Sequence, residues 1–303
     1  MHKVTTFYSY IKIMKIALYG NTYQRSKSEH IVTLLEALRN YDVQLFVEQN
    51  YYDFLCEQFI DTLSATPFTS IDDNIDVVIS VGGDGTFLRT AEQVAEKRIP
   101  ILGINAGRLG FLADISKEQI ACAIDELFAG NYKVEERTML QVEVDSLPAD
   151  YTPYALNEVA LLKQDTSSMI SINATLGGNF LNNYQADGLL VATPTGSTGY
   201  ALSIGGPVLM PECSNFVIAP VAPHMLNVRP LVVPDNETIT LSVDSRSGNY
   251  LISLDGRSLV ISCDNSVTLR KAPFKTLVIK RNNHIFVSTL RNKLMWGADN
   301  RNS

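Results

Sequence analysis

The 303-residue chain is 46% hydrophobic, 9% aromatic and 19% charged, which is enough apolar content for a sizeable core and excludes the disordered and fibrous classes. A net charge of −7 excludes a broad electrostatic grip on nucleic acid or on an anionic membrane, so any phosphate chemistry has to be local. Four cysteines, Cys56, Cys122, Cys213 and Cys263, stand far apart with no CxxC pair or zinc spacing, and read as reduced thiols of a cytoplasmic protein.

Residues 1–13 read as a tail without the apolar run of an export signal, and Met14 is an alternative start. MKIALYG (14–20), VQLFV from Val43, DVVISV (76–81) and PILGIN (100–105) have the β-branched content of buried strands. Between them SEHIVTLLEALRNY from Ser28 spaces Ile31, Leu34, Leu35 and Leu38 for a helix, and TFLRTAEQVAEK (86–97) and KEQIACAIDELFAG (117–130) repeat the pattern. Strand followed by helix, several times over, predicts a Rossmann-like α/β domain with a parallel sheet over residues 14–133.

Beyond Asn131 the pattern becomes alternation between turns: QVEVD (141–145), NEVALL (157–162), SINATL (171–176), TITLSV (238–243), YLISLD (250–255) and SVTLR (266–270). The loops SLPADYTP (146–153) and VPDNET (233–238) supply the turn residues. This predicts a mainly antiparallel all-β domain over residues 134–272. In the remaining segment, 273–303, TLVIK (276–280) and HIFVSTL (284–290) are expected to pair with either domain and to bring the chain back onto the first; Trp296 and the DNRNS tail carry no signal. From Gly188 to Pro211 no Asp, Glu, Lys or Arg occurs. Proline, glycine and hydroxyl residues interrupt the stretch, so it reads as a buried wall around a ligand, not a membrane span.

The sharpest local signal is Gly82-Gly83-Asp84-Gly85-Thr86-Phe87-Leu88, directly after a strand and opening a helix. Glycines let backbone approach a phosphate, and a helix N-terminus presents unpaired N–H groups. A carboxylate beside an anion is unfavourable unless it takes a proton or holds a metal, which suits phosphoryl transfer to a hydroxyl. The alternative is a turn in which Asp84 caps the helix. A second cluster runs from Asp187 through Thr193-Pro194-Thr195-Gly196-Ser197-Thr198-Gly199-Tyr200 to Ser203, rich in neutral donors and acceptors for ribose, amide and phosphate groups. In the third, Asn157 and Glu158 are adjacent in an apolar strand and so point to opposite faces, at least one of them towards a core or ligand, with exposure at a sheet edge as the alternative.

GGDGTFL, the NE pair, DGLLVATPTGSTGYALSIGGP and APHMLNVRPLVVP (222–234), in this order, together resemble the NAD kinases. GGDGT alone also resembles the phosphate loops of lipid kinases and phosphofructokinases; PTGSTGY combined with NE makes the likeness specific. The resemblance implies transfer of the ATP γ-phosphoryl group to the 2′-hydroxyl of the adenosine ribose of NAD, giving NADP. It implies Asp84 as the base, with Gly82, Gly83, Gly85 and Thr86 as the phosphate loop and Arg89 as a cation near the phosphates. It implies Asn157 and Glu158 at the adenosine end of NAD, and Asp187 at the nicotinamide end, in some members across a subunit boundary. Thr195, Thr198, Gly199, Tyr200, Ala201, Leu202 and Ser203 would line the pocket, with glycine at 199 where the family commonly has alanine.

His224 and Arg229 match family positions too; His224, a single histidine between two apolar runs, reads first as a structural residue, and Arg229 suits an interdomain or intersubunit pair as well as substrate contact. Asn105, Gly107, Arg108 and Gly110 are read as a tight loop supporting the site. A divalent cation, Mg²⁺ by chemistry, is implied as a bridge between phosphates. No metal-ligand constellation stands out, so the cation is expected on the nucleotide and water. A homodimer or homotetramer is implied, with no nucleic acid or membrane partner. A lipid kinase and a non-catalytic NAD-binding regulator are the competing readings.

Overall fold

The computed structural model describes residues 13–22, 28–58, 64–107, 110–165 and 168–295. The tail at 1–12, Arg108, Trp296 and the DNRNS segment lie outside the described residues. Strands β1 (Met14–Gly20), β2 (Val43–Glu48), β3 (Thr66–Phe68), β4 (Val77–Gly82) and β5 (Ile101–Asn105) are parallel, in the order β3-β2-β1-β4-β5. Helices α1 (Ser28–Leu38), α2 (Gln49–Glu57), α3 (Asp84–Val94) and α4 (Ile120–Phe128) connect and cover them. The period of a strand assigns the two faces. Ile16 and Leu18 join Ile31, Leu34 and Ile124 of α1 and α4 in one core, whereas Ala17, with Val78 of β4, packs on Phe87 and Ala91 of α3 in another. The strand order reverses between β1 and β4, and a ligand crevice is expected outside the carboxyl ends of the strands at such a point.

The second half contains β6 (Tyr132–Glu143), β7 (Tyr154–Ala155), β8 (Glu158–Lys163), β9 (Ile170–Leu176), β10 (Asn179–Ala186) and β11 (Gly188–Ala192). After the short α5 (Tyr200–Ser203) come β12 (Asn215–Val221), β13 (Leu231–Pro234), β14 (Ile239–Asp244), β15 (Asn249–Leu254), β16 (Arg257–Ser262), β17 (Val267–Arg281) and α6 (Phe286–Leu294). One antiparallel sheet runs β13-β12-β11-β8-β15-β16. It packs face to face on β9, β14 and the first half of β17 through Val159, Leu161, Val191, Phe216, Ile172 and Leu241, all buried.

Strand β17 joins the two halves. Its start pairs antiparallel with β14, and its end pairs parallel with β5 at Val278↔Ile101 and Ile279↔Leu102. One eleven-stranded sheet therefore passes through both halves, and the expected boundaries at 133/134 and 272/273 fall inside β6 and β17. TLVIK is the end of this long strand and not a separate one. HIFVSTL does not form a strand: helix α6 starts at Phe286, and the helix sets the Phe286 ring and the Lys293 ammonium against the ring of Phe111, aromatic and cation–π contacts that outweigh local β-propensity. The charge-free stretch opens with β11, buried at every position because it has neighbours on both edges and is covered on both faces.

Candidate active site

Asp84 is the first residue of α3, directly beyond β4. It does not cap its helix: Gly83 holds the cap position and no side chain bonds there. Its carboxylate turns to the loop after β5. Oδ2 accepts the backbone N–H of Phe111 at 2.9 Å, and Oδ1 accepts those of Leu112 at 3.0 Å and Ala113 at 3.2 Å. Lys293 of α6 places its Nζ 3.1 Å from Oδ2. Burial by itself pushes this carboxyl upward. The Phe111 N–H, the Lys293 charge and the other two N–H groups outweigh that push and hold the acid below the usual carboxylate range.

The loop is tied down on its far side as well. Ala106 donates its N–H to the Gly82 carbonyl, and Asn105 accepts from the N–H of Gly107 at 2.6 Å. Gly110 lies so close to Asp84 that a Cβ there would run into the carboxylate, which is why this position is glycine. Behind the loop, the fully buried Lys280 donates to the Leu112 carbonyl at 2.9 Å and pairs with Asp114, which also meets His284.

Asn157 and Glu158 depart from the sequence expectation of opposite faces. β8 begins at Glu158, so Asn157 precedes the ladder and strand alternation does not govern it. The N–H groups of Leu156, Asn157 and Glu158 all converge on the carboxylate of Asp255, at 2.7, 2.9 and 2.9 Å. Both side chains then face Gly199: a Cβ built there would stand 3.2 Å from Glu158 Oε2 and 3.4 Å from Asn157 Nδ2. Asn157 Oδ1 and Glu158 Oε2 are buried without a hydrogen-bond partner among the described residues. Burial first, and the Asp255 carboxylate second, push the Glu158 carboxyl up to about 8.

In the hydroxyl-rich loop after β11, three hydroxyls are taken up by backbone carbonyls, two of them within the loop itself. Thr193 donates to the Leu156 carbonyl, Ser197 to that of Pro194 and Thr198 to that of Thr195. Gly196 lies against the Asn157 backbone, where no Cβ fits, and this contact locks the loop to the NE pair. The hydroxyl of Thr195 makes no hydrogen bond within the described residues, and Tyr200 is exposed at the mouth of α5 beside Ala201, Leu202 and Ser203.

Asp187 is not brought to this place. It lies at the opposite end of β11, paired with Lys163 at 2.7 Å, with all five residues of the strand between it and the loop. Arg229 donates to the carbonyls of Leu226 and Val228 of its own loop, and His224 is exposed. Sequence reading missed Asp255, Lys280 and Lys293. Asp255 has a positive φ of 48°, but nothing in the neighbouring sequence marks what it holds.

A cleft of about 620 Å³ opens at the carboxyl ends of β1, β2 and β3, lined by Tyr19, Gly20, Glu48, Thr69, Thr86 and Arg89. Its acids are engaged elsewhere: Glu48 caps α2, and Glu92 pairs with Arg257 of β16 at 2.8 Å. Arg89 has no ion pair among the described residues. Among those residues no three His, Cys, Asp or Glu side chains gather to hold a metal, and no helix is long and apolar enough to cross a membrane.

Residues 16–132 match the ATP-NAD kinase N-terminal domain family, and residues 156–281 the ATP-NAD kinase C-terminal domain family. The chain is 50% identical over 289 residues to the NAD kinase of Bacteroides fragilis, covering 95% of this chain and 100% of that one. It is 47% identical over 286 residues to the NAD kinase of Porphyromonas gingivalis, covering 94% and 98%. An NAD kinase from Archaeoglobus fulgidus solved in complex with ATP superposes with a TM-score of 0.74 at 27% identity, over 93% of this chain and 99% of that one. Yeast NADH kinase complexed with NADH shares the fold, with a TM-score of 0.84 at 20% identity over 96% and 90%.

Proposed function

The chain belongs to the ATP-NAD kinase family and phosphorylates NAD to NADP with ATP as donor, and from that premise we propose which of its residues carry the reaction. The adenosine end of NAD lies between the NE pair and the 195–203 loop. The supporting observation is the pair of buried, partnerless oxygens, Asn157 Oδ1 and Glu158 Oε2, beside Gly199. A buried polar atom without a partner costs about 1–3 kcal/mol, a penalty that ribose and adenine donors remove on binding. Thr195, Thr198, Tyr200, Ala201, Leu202 and Ser203 complete that wall.

Asp84 is the base. A secondary hydroxyl is a poor nucleophile until its proton has an acceptor, and Asp84 remains ionised at neutral pH. Gly82, Gly83, Gly85 and Thr86 form the turn and first helical turn that face the phosphates, where free N–H groups and the helix dipole favour an anion. ATP occupies the cleft at the strand ends, with Arg89 as its cation. The described residues offer no cage for a divalent ion, and Asp84 has its oxygens engaged. A divalent ion, Mg²⁺ by chemistry, therefore comes with the nucleotide's phosphates and water, where it would offset their charge.

Asp187 belongs to the nicotinamide end of a neighbouring subunit's site. Its position at the far end of β11, beside a loop whose Leu226 is 89% exposed, favours a homo-oligomer. The four cysteines are free, as fits a cytoplasmic protein. The decisive assay incubates the protein with ATP, Mg²⁺ and NAD and follows NADP through a coupled dehydrogenase. Absence of NADP with NAD binding retained would leave a dinucleotide-binding regulator.

A further inference from the structure

Asp84 has no vacant acceptor position. A carboxylate offers about four lone-pair sites, and here Oδ2 takes the Phe111 N–H and the Lys293 ammonium while Oδ1 takes the N–H groups of Leu112 and Ala113. A ribose hydroxyl can donate to Asp84 only by displacing one of the four. Three are peptide groups of a loop anchored from behind, because the Leu112 carbonyl accepts from the fully buried Lys280 and Ala113 accepts from Gly110. The fourth sits at the end of a flexible four-carbon chain whose side chain is 29% exposed. Its ammonium lies 4.3 Å from the Phe111 ring centroid, so the aromatic face can hold the charge near the centre once it leaves the carboxylate.

We propose that Lys293 is the exchangeable counter-ion of the transfer centre: it yields its place on Asp84 to the acceptor hydroxyl and pairs with the transferring phosphoryl group. This rests on the reading of Asp84 as the base. In the step, the ribose O–H breaks and its proton passes to Asp84. A bond forms from that oxygen to the γ-phosphorus, and the bond to the bridging oxygen breaks with its electron pair leaving on ADP. Lys293 stays protonated throughout and exchanges one anionic partner for another. Its departure also removes one of the influences that hold the Asp84 carboxyl down, so the acid becomes a better base when the proton arrives.

The test is steady-state kinetics with pH profiles on Lys293→Ala, Lys293→Gln, Lys293→Arg, Arg291→Ala and Asp84→Asn, each with a thermal melt. Lys293→Gln keeps most of the stem beside Phe111, so it reports on charge even where the alanine variant folds poorly. Loss of the ammonium is expected to lower kcat on the order of 100-fold with little change in the KM for NAD. The acid limb of kcat/KM should move to higher pH, a change that mere packing of α6 would not produce. Lys293→Arg should recover part of the rate, and Arg291→Ala, which removes the same charge from the same helical turn, should match wild type. A kcat equal to or above wild type in the Gln variant, or a lower kcat with an unmoved acid limb, overturns the proposal. Near-normal turnover in Asp84→Asn removes the base assignment, and the lysine exchange falls with it. Loss in Asp84→Asn beside a normal Lys293→Gln fails the lysine alone.

Discussion

The two carboxylates assigned to base and binding roles sit in opposite environments. Asp84 is held by three backbone N–H groups and an ammonium, and its carboxyl is pushed down; Glu158 is half-buried beside Asp255 with one buried oxygen unpartnered, and its carboxyl is pushed up to about 8. The first is complete without substrate and must give something up to react. The second is incomplete without substrate and gains by binding. On the proposed assignment, chemistry and recognition are divided between two acids by their surroundings and not by residue type.

The sharpest way to break this comparison is Asp84→Asn. Removing a general base should cost roughly 10²–10⁴-fold in kcat while NAD affinity measured by calorimetry changes little. A proportional loss of affinity would place Asp84 in binding instead. Next comes Gly110→Ala, whose Cβ would strike the Asp84 carboxylate; the expected outcome is at least a ten-fold fall in kcat, together with a lower melting temperature from the displaced loop.

Titration separates the two acids by sign. Glu158 has a folded pKa above its unfolded value, so the unfolded chain binds fewer protons between about pH 4.5 and about 8, and the substrate-free protein loses stability as pH rises through that window. Asp84 has the opposite sign: its contribution is present above its ordinary value of 3.8 and is lost as pH falls through its lowered one. Glu158→Gln should flatten the first dependence, worth roughly 1–4 kcal/mol, without moving the second. A pH scan of melting temperature for both proteins reads this directly. The smallest effect is expected from Gly199→Ala. The backbone there has an ordinary negative φ and the new methyl meets Glu158 Oε2 at 3.2 Å, so the KM for NAD should change by about two-fold and the melting temperature by less than about 3 °C.

The partners of these acids explain what was legible beforehand. GGDGT could be read as a phosphate loop because its signal is local: glycines, a preceding strand and a helix start are neighbours in sequence. The NE pair and the PTGSTGY loop were legible as a likeness, although strand alternation misplaced Asn157, which sits just before the ladder begins. Asp187 was legible as a member of the same cluster, yet a whole strand keeps it away from the site in this chain.

By itself the sequence determined the α/β half, the antiparallel half, the loop at the start of α3 and the family, since periodicity and motif order are properties of adjacent residues. Tertiary structure decided what state those residues are in. The donors on Asp84 come from 27 to 29 and from 209 positions away, and the carboxylate that orients the NE pair from 97 to 99 away. It also made a helix of HIFVSTL and drew one strand, β17, through both sheet halves. A side chain's charge and hydrogen bonds depend on what folding brings beside it, and burial strengthens every such contact, so the chemistry of the site emerges only from distant segments in contact.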